Sequence, residues 1–131
     1  MKLQRPLVLD AGALIDVERR SRGETYRACL DARRDGVGAW LPAVVWGQVW
    51  RGKRRQAPLS QVLNLCRVLP FTKEMGDDVG QLLAVTRTSD VVDAAVVVTA
   101  FQLGGVVLTS DPDDIARLAD AFDSPITIVR V

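Results

Sequence analysis

Residues 89–114, with the sequence SDVVDAAVVVTAFQLGGVVLTSDPDD, decide the fold class of this chain. A serine precedes an apolar segment that closes on a glycine pair, which predicts a helix over 89–105 because Ser favours N-caps and Gly favours helix ends. The following run, GVVLTSD (105–111), is apolar on both faces, as is typical of a strand buried in a parallel sheet. Pro112 then begins a second helix, predicted over 110–122, with acids in its first turn. The stretch therefore predicts a helix–strand–helix unit.

Segments of the same two kinds alternate along the rest of the chain. Short apolar runs predict four further strands at PLVLD (6–10), VGAWLP (37–42), RVLPF (67–71) and ITIVRV (126–131). A helix-like segment that ends at a glycine, GETYRACLDARRDG (23–36), separates the first two. Such alternation is typical of the α/β class and predicts a doubly wound parallel sheet of about five strands flanked by helices. No linker, repeat or low-complexity segment interrupts it, so residues 1–131 are expected to form a single domain.

The composition argues against a membrane protein and predicts a cytoplasmic one. Hydrophobic residues make up 48% and charged residues 25% of the chain, as in an ordinary soluble domain. No apolar run reaches the roughly 20 residues that span a bilayer, and the amino-terminal apolar run is too short for a secretory signal. Cys29 and Cys66 lack a CxxC spacing, which favours free thiols in a reducing compartment.

The net charge of +1 hides an uneven distribution of charge along the chain. Residues 1–60 contain twelve Lys and Arg against six acids, whereas residues 61–131 contain five against ten. A basic half and an acidic half predict two poles, although a scatter of solvated surface charge would have the same totals. The positions of the acids decide between these interpretations.

Three acids are predicted to meet at one edge of the sheet. Asp10 follows the first predicted strand, Asp111 ends the fourth, and Asp93 lies in the first turn of the helix before the fourth. Ligands of open parallel sheets bind beyond the carboxyl ends of the strands, so these carboxylates are expected to face a common crevice. With no Lys or Arg nearby in the same motifs, they would repel one another unless a divalent cation neutralised them. Mg²⁺ and Mn²⁺ accept carboxylate oxygens and keep waters for a phosphate substrate.

Asp90, Asp113 and Asp114 have a simpler explanation. All three lie near predicted helix starts, where acids complement the helix dipole by a few tenths up to about 1 kcal/mol. Asp90 and Asp93 are nonetheless three residues apart on one helical face, so Asp90 also remains a candidate metal ligand.

Residues and motifs that the sequence lacks exclude several other types of catalytic or binding site. The chain has no His, which excludes a Ser–His triad and His-containing zinc sites. It contains neither a GxxxxGK[ST] loop nor a GxGxxG loop for nucleotide phosphates. The remaining possibility is a site in which a hard cation such as Mg²⁺ or Mn²⁺ acts on a phosphate substrate.

The chain resembles the PIN domain family in four motifs, which follow in order as LVLDAGALID, LPAVVWGQVWRG, TSDVVDAAVVVTA and VVLTSDPDDI. The closest resemblance is to the VapC-type toxins of bacterial toxin–antitoxin pairs, and it covers nearly the whole chain. It implies a PIN-like fold and a ribonuclease that depends on Mg²⁺ or Mn²⁺ and cleaves single-stranded or structured RNA. It also implies a homodimer and an antitoxin partner that blocks the site.

The resemblance assigns roles to individual residues. Asp10 matches the metal ligand after the first strand, Asp93 the acid that begins the helix of DAAVVVTA, and Asp111 the acid that ends the fourth strand. Thr109 matches the hydroxyl beside that acid, and Asp113 matches a second acid that often follows two positions on.

Two positions depart from the family pattern. Gly12 stands where the family often has Ser or Thr, and Gln48 stands where it has Glu. A Gln oxygen can still ligate a cation, but the site loses one negative charge, which predicts weaker metal binding and reduced activity rather than none. Alternatively, Gln48 is a solvent-facing residue outside the site. Arg51, predicted to share its helical face, then lacks a carboxylate partner and is available for a phosphate.

The neighbours of Gln48 have predicted uses of their own. Trp46 and Trp50 share a helical face and either pack in the core or form an interface with a second copy or an antitoxin helix. The run RGKRR (51–55) is either a solvated loop or a contact for RNA phosphates, and ERRSR (18–22) is a second candidate. The candidate RNA-binding residues are Arg51, Lys53, Arg54 and Arg55.

The main alternative is a PIN-like domain that has lost catalysis and binds RNA or a partner protein. Gln48 and Gly12 favour it, whereas the three retained acids oppose it. Receiver domains need a Lys on the fifth strand, where ITIVRV has none, and haloacid-dehalogenase-like phosphatases need an Asp at position 12. A structure-specific DNA nuclease of the wider fold would carry more acids and a longer chain.

Overall fold

The computed structural model describes residues 5–123 and 125–131 of the chain. The strands in these residues are β1 (Leu7–Leu9), β2 (Ala39–Pro42), β3 (Cys66–Leu69), β4 (Val106–Thr109) and β5 (Thr127–Arg130). The helices are α1 (Ala11–Arg19), α2 (Glu24–Arg34), α3 (Ala43–Val49), α4 (Ala57–Leu63), α5 (Lys73–Thr86), α6 (Val91–Leu103) and α7 (Pro112–Ala119). A 3₁₀ turn at Arg54–Gln56 precedes α4. The alternation confirms the predicted α/β class.

The five strands form one parallel sheet in the order β3-β2-β1-β4-β5. The chain proceeds from β1 outward through β2 and β3, and then returns to the other side of β1 with β4, so the strand order reverses between β1 and β4. Leu7 pairs with Val106 and Leu9 with Leu108, which aligns the carboxyl ends of these two strands. This topology confirms the doubly wound sheet, and the crevice beyond β1 and β4 is where such folds bind ligands.

Helices cover both faces of the sheet. Val8, Leu9, Leu41 and Val107 are therefore completely buried, as the apolar strand sequences predicted. Helix α6 is encased in the same way, because every residue from 94 to 100 is buried and the helix packs against α3, α5 and α7. This packing holds the amino end of α6 in a fixed place beside the sheet.

The elements are shorter than their sequence patterns because flanking residues form caps and turns. Asp10 and Asp111 lie just outside the strands, as the N-caps of α1 and α7. One prediction is wrong: Arg51 does not share a helical face with Gln48. Helix α3 ends at Val49 and the next residue is extended, so Arg51 lies in the loop beyond the helix.

Cys29 and Cys66 are free thiols, as predicted. A hydrogen bond with the Cys66 thiol, together with burial, raises the pKa of Cys29. Cys29 is therefore a neutral core residue. Within the described part of the chain, no helix has the length and apolar character needed to cross a bilayer.

Candidate active site

Asp10 lies at the bottom of the crevice beyond β1 and β4. Its backbone N–H donates to Leu108 O at 3.0 Å, which ties the end of β1 to β4, and the residue is only 5% exposed. The buried Thr109 hydroxyl donates a 2.6 Å hydrogen bond to Asp10 Oδ2. Asp10 Oδ1 is also buried and has no partner among the described residues. A buried carboxylate oxygen without a partner is unfavourable, so this atom is suited to ligate a cation.

Thr109 links Asp10 to Asp111. Its hydroxyl proton goes to Asp10, and its oxygen accepts a 3.0 Å hydrogen bond from the backbone N–H of Asp111. The Asp111 side chain is in turn hydrogen-bonded to Asp114, and this bond, more than the Asp111 charge, raises the pKa of Asp114. Two carboxyl groups in contact hold a shared proton more readily than they ionise together.

Asp93 lies half-buried in the first turn of α6. Its backbone N–H donates at 2.9 Å to Asp90 Oδ1, which makes Asp90 the N-cap of the helix. Burial, followed by the charges of Asp90, Asp10, Asp114 and Asp111, raises the pKa of Asp93 to about 7. Each of these effects opposes ionisation, so the acids of the crevice destabilise one another.

A depression of about 270 Å³ opens beside Asp93. It is lined by Thr88, Ser89, Asp90, Asp93, Asp114, Arg117 and Leu118. Arg117, which lies outside the acidic sequence motifs, also lines the depression, and its charge lowers the pKa of Asp114. This guanidinium does not offset the other effects, because the net shift of the Asp114 pKa is still upward.

The acids suit a hard cation that keeps part of its water shell. The oxygen donors of Asp10, Asp93 and Asp111 are of the type that Mg²⁺ and Mn²⁺ accept. Across residues 5–123 and 125–131, no three acidic or thiol side chains lie close enough together to enclose an ion as they stand. Mg²⁺ is usually held through one or two carboxylates together with waters and substrate phosphates, so an open arrangement is compatible with it.

The other predicted ligands have weaker connections to the crevice. Asp113 is exposed and forms no hydrogen bond or ion pair with the described residues. Gln48 is exposed near the end of α3, and its side chain likewise has no hydrogen bond in the described part of the chain. The sequence interpretation had not assigned Asp114 or Arg117 to the crevice. Asp114 and Arg117 are three residues apart in α7 and therefore neighbours on its surface, and Asp114 follows the N-cap residue Asp111 by three; this spacing was the available signal.

Gln56 fixes the loop that carries the basic run. It is 1% exposed, and its Oε1 accepts a 2.8 Å hydrogen bond from the backbone N–H of Arg51. Its Nε2 donates to Val49 O at 2.9 Å and to Glu18 Oε1 at 3.2 Å. The two ends of the loop are thereby joined and held against α1. No sequence pattern distinguished this glutamine from an exposed one.

The same contacts bring the two basic segments, 18–22 and 51–55, together on one surface. Arg55 Nη1 lies 3.5 Å from Glu18 Oε2, at the last turn of α1. Lys53 and Arg54 are exposed and form no ion pair with the described residues. These exposed cations are available for a polyanion.

Trp46, Trp50 and Arg51 make side-chain contacts at the carboxyl end of α3. The rings of Trp46 and Trp50 stack with centroids 4.9 Å apart, and both residues are half-buried against the core. The Arg51 guanidinium donates to Gly47 O at 3.1 Å and to Trp50 O at 2.8 Å. Arg51 therefore stabilises the carboxyl end of the helix.

Comparisons with known proteins agree with this fold. A family model described as the PIN domain matches residues 7–121. The solved structure of VapBC2 from Rickettsia felis, bound to a DNA fragment from the promoter, is similar with a TM-score of 0.71 at 10% identity, covering 95% of this chain and 98% of that one. FitAcB from Neisseria gonorrhoeae has a TM-score of 0.62 at 18% identity, covering 95% and 96%. PAE2754 from Pyrobaculum aerophilum has a TM-score of 0.58 at 18% identity, covering 94% and 90%. No curated protein sequence matches significantly.

Proposed function

Because the chain belongs to the PIN domain family, whose members are generally nucleases, we propose that it is a metal-dependent endoribonuclease that cleaves RNA phosphodiester bonds. We further propose that it is the VapC-type toxin of a toxin–antitoxin pair. The likeness of its fold to VapBC2 from Rickettsia felis supports this second part.

One observation carries the nuclease proposal: acids from three chain segments face one crevice and repel one another. Asp93 is the clearest case, since its pKa is raised to about 7 by burial and by four neighbouring acids, among them Asp10 and Asp111. The mutual repulsion and the burial of these acids are unfavourable for the fold itself. Perturbed carboxyl groups at the ligand-binding edge of a sheet are typical of functional sites.

Asp10, Asp93 and Asp111 would hold Mg²⁺ or Mn²⁺, and Asp90 and Asp113 would be further oxygen donors at the rim. When bound, the cation supplies positive charge to the scissile phosphate and promotes deprotonation of the attacking water.

Two further residues set the properties of these ligands. Thr109 holds Asp10 Oδ2 by a 2.6 Å hydrogen bond, which leaves the buried Oδ1 for the cation. Gln48, proposed as a weakened ligand position, contributes at most a neutral amide oxygen.

The RNA backbone would follow the basic surface at the far end of α1. Lys53, Arg54 and Arg55 are the proposed phosphate contacts, and Arg51 orders the loop that carries them. Helix α1 connects the two regions, because it begins after Asp10 and ends near Glu18, about 12 Å further along the axis. An RNA strand that contacts the basic surface can therefore extend into the acidic crevice.

The proposed partners are an antitoxin and a second copy of the chain. Trp46 and Trp50 form a half-buried aromatic pair at the end of α3, and such pairs commonly anchor protein interfaces. We assign them to the antitoxin contact.

The nuclease proposal is tested by Asp93→Asn, with Asp120→Asn as the matched control because Asp120 is an exposed acid at the other end of α7. Wild type, expressed without an antitoxin, is expected to slow growth and to cleave a fluorogenic RNA in Mn²⁺. Asp93→Asn is expected to lose at least about hundredfold in kcat/KM and to relieve the growth defect, since it removes a cation ligand. Asp120→Asn should behave as wild type.

A non-catalytic binding module is the second candidate, and the exposed Gln48 amide at a position where the family has an acid favours it. That function would be supported if folded Asp93→Asn still arrested growth at wild-type protein levels. Absence of Mn²⁺-dependent cleavage by the wild-type protein would point the same way.

A further inference from the structure

Gly12 and Ser110 approach each other more closely than any side chain at position 12 would allow. A Cβ atom built on Gly12 would lie 2.0 Å from Ser110 Oγ, 2.6 Å from Ser110 N and 2.7 Å from Ser110 Cβ. The contact with the backbone nitrogen is not relieved by rotating the serine. Glycine is therefore required at position 12 by the close packing of the first turn of α1 against the end of β4.

This packing holds the Ser110 hydroxyl against Gly12, two residues after Asp10 in the chain. The residue before it, Thr109, donates to Asp10, and the residue after it, Asp111, donates its backbone N–H to Thr109. Ser110 Oγ itself lies directly over the first turn of the helix that Asp10 caps. The serine thus directly precedes one proposed ligand, Asp111, and packs on the helical turn that follows the other, Asp10.

The hydroxyl is free to act on a ligand. Ser110 is exposed, and its side chain forms no hydrogen bond with the rest of the described chain. The fold consequently does not use this donor, although the close contact with Gly12 restricts its position.

A neutral donor such as this hydroxyl suits a phosphate at the crevice. The carboxylates of Asp10, Asp93 and Asp111 accept hydrogen bonds and repel a phosphate group, which is itself an anion with acceptor oxygens. A hydroxyl can donate to a non-bridging phosphate oxygen without adding a charge that would compete with the cation.

We infer that Ser110 is a further substrate-contacting residue, whose hydroxyl donates a hydrogen bond to a non-bridging oxygen of the RNA phosphate at the crevice. Gly12 makes this possible by leaving room for Ser110 against α1. The inference rests on the proposed function of the crevice, since it assigns Ser110 to the same substrate.

The test compares Ser110→Ala, which removes only the hydroxyl, with Ser110→Thr, which keeps it. Ser60→Ala is the control, because Ser60 is an exposed serine on α4. Ser110→Ala is expected to lose about tenfold in kcat/KM for a fluorogenic RNA and about threefold in RNA affinity by fluorescence anisotropy, since one neutral hydrogen bond is removed. Mn²⁺ affinity and thermal unfolding should stay at wild-type values. Ser110→Thr should recover most of the loss.

Other outcomes are decisive as well. Wild-type kcat/KM and RNA affinity in Ser110→Ala would overturn the inference. Parallel losses of unfolding temperature and of Mn²⁺ affinity would also overturn it, because they would show a purely structural serine. If wild type bound RNA in Mn²⁺ without cleaving it, the nuclease proposal would fail, and the affinity ratio would still decide the role of Ser110. Equal RNA affinities of the two proteins, including no affinity at all, would reject it.

Discussion

The crevice beyond β1 and β4 and the loop after α3 carry opposite charges. The negative charges are crowded together, whereas the positive charges are exposed or paired. In the crevice, Asp93 is surrounded by other acids and its pKa is raised to about 7. In the loop, the cations are exposed to water or paired, as Arg55 is with Glu18 at 3.5 Å. The buried Gln56 holds this loop through three hydrogen bonds.

The charges of the crevice therefore oppose folding, whereas the charges of the loop do not. Burial and like charges both act against the ionised crevice, so its acids reduce the stability of the metal-free protein. The loop imposes no comparable penalty because its charges remain solvated. We conclude that the crevice is suited to bind a ligand. The loop is rigid and keeps its cations exposed to solvent.

The largest expected effect is on metal binding at the crevice. Asp10→Asn should lower Mn²⁺ affinity by more than about hundredfold, because it removes the charge from the carboxylate whose buried Oδ1 has no partner. Calorimetric titration measures this, with Asp120→Asn as the control. Equal affinities in the three proteins would mean that the acids of the crevice do not hold the ion.

The next effect concerns the stability of the loop. Gln56→Leu should reduce the free energy of unfolding by about 2 kcal/mol, because the Arg51 N–H and the Val49 carbonyl lose a buried partner. Urea denaturation measures this, and Gln61→Leu, at an exposed position of α4, is the matched control. Mn²⁺ affinity should not change. A loss of Mn²⁺ binding in folded Gln56→Leu would show that the two regions are coupled.

The raised pKa of Asp93 should also make the free energy of unfolding depend on pH. The Asp93 pKa is about 7 in the folded protein against 3.8 ordinarily, so the folded state binds more protons between these values and stability falls as pH rises through that window. The difference between wild type and Asp93→Asn, measured without metal, should therefore grow from pH 4 to pH 7 and then level off. Because Asp93 is only half-buried, we expect about 1–2 kcal/mol in favour of the variant. A difference independent of pH would contradict the raised pKa.

The smallest expected effect returns to Gln48. If its amide is a weakened ligand, Gln48→Glu should tighten Mn²⁺ binding about fivefold, or about 1 kcal/mol, and raise RNA cleavage most at low metal concentration. Metal-titrated cleavage of a fluorogenic RNA measures this. An unchanged curve would place Gln48 outside the site, and a fall in activity would mean that its amide donates a hydrogen bond.

The fold could be predicted because it depends on local patterns. Runs such as GVVLTSD are apolar on both faces, and only a parallel sheet covered by helices buries both. The five predicted strands correspond to β1–β5, and the acids at their ends were assigned to the correct edge of the sheet. The alternation of strands and helices also restricted the topology, which is why Asp10 and Asp111 could be placed near one another.

Contacts between distant segments could not be predicted in this way. Gln56 bonds to Glu18 across 38 positions, and nothing in the local sequence distinguishes this glutamine from an exposed one. Thr109 lies in a strand that was predicted to be buried, but no local pattern predicted its hydrogen bond to Asp10, 99 positions away. The shift of the Asp93 pKa likewise needs burial and several separate segments at once. Amino-acid patterns report which face of an element is apolar, because burial repeats with the period of the helix or strand. Pairings of individual polar atoms have no period, and only the packed tertiary structure determines them.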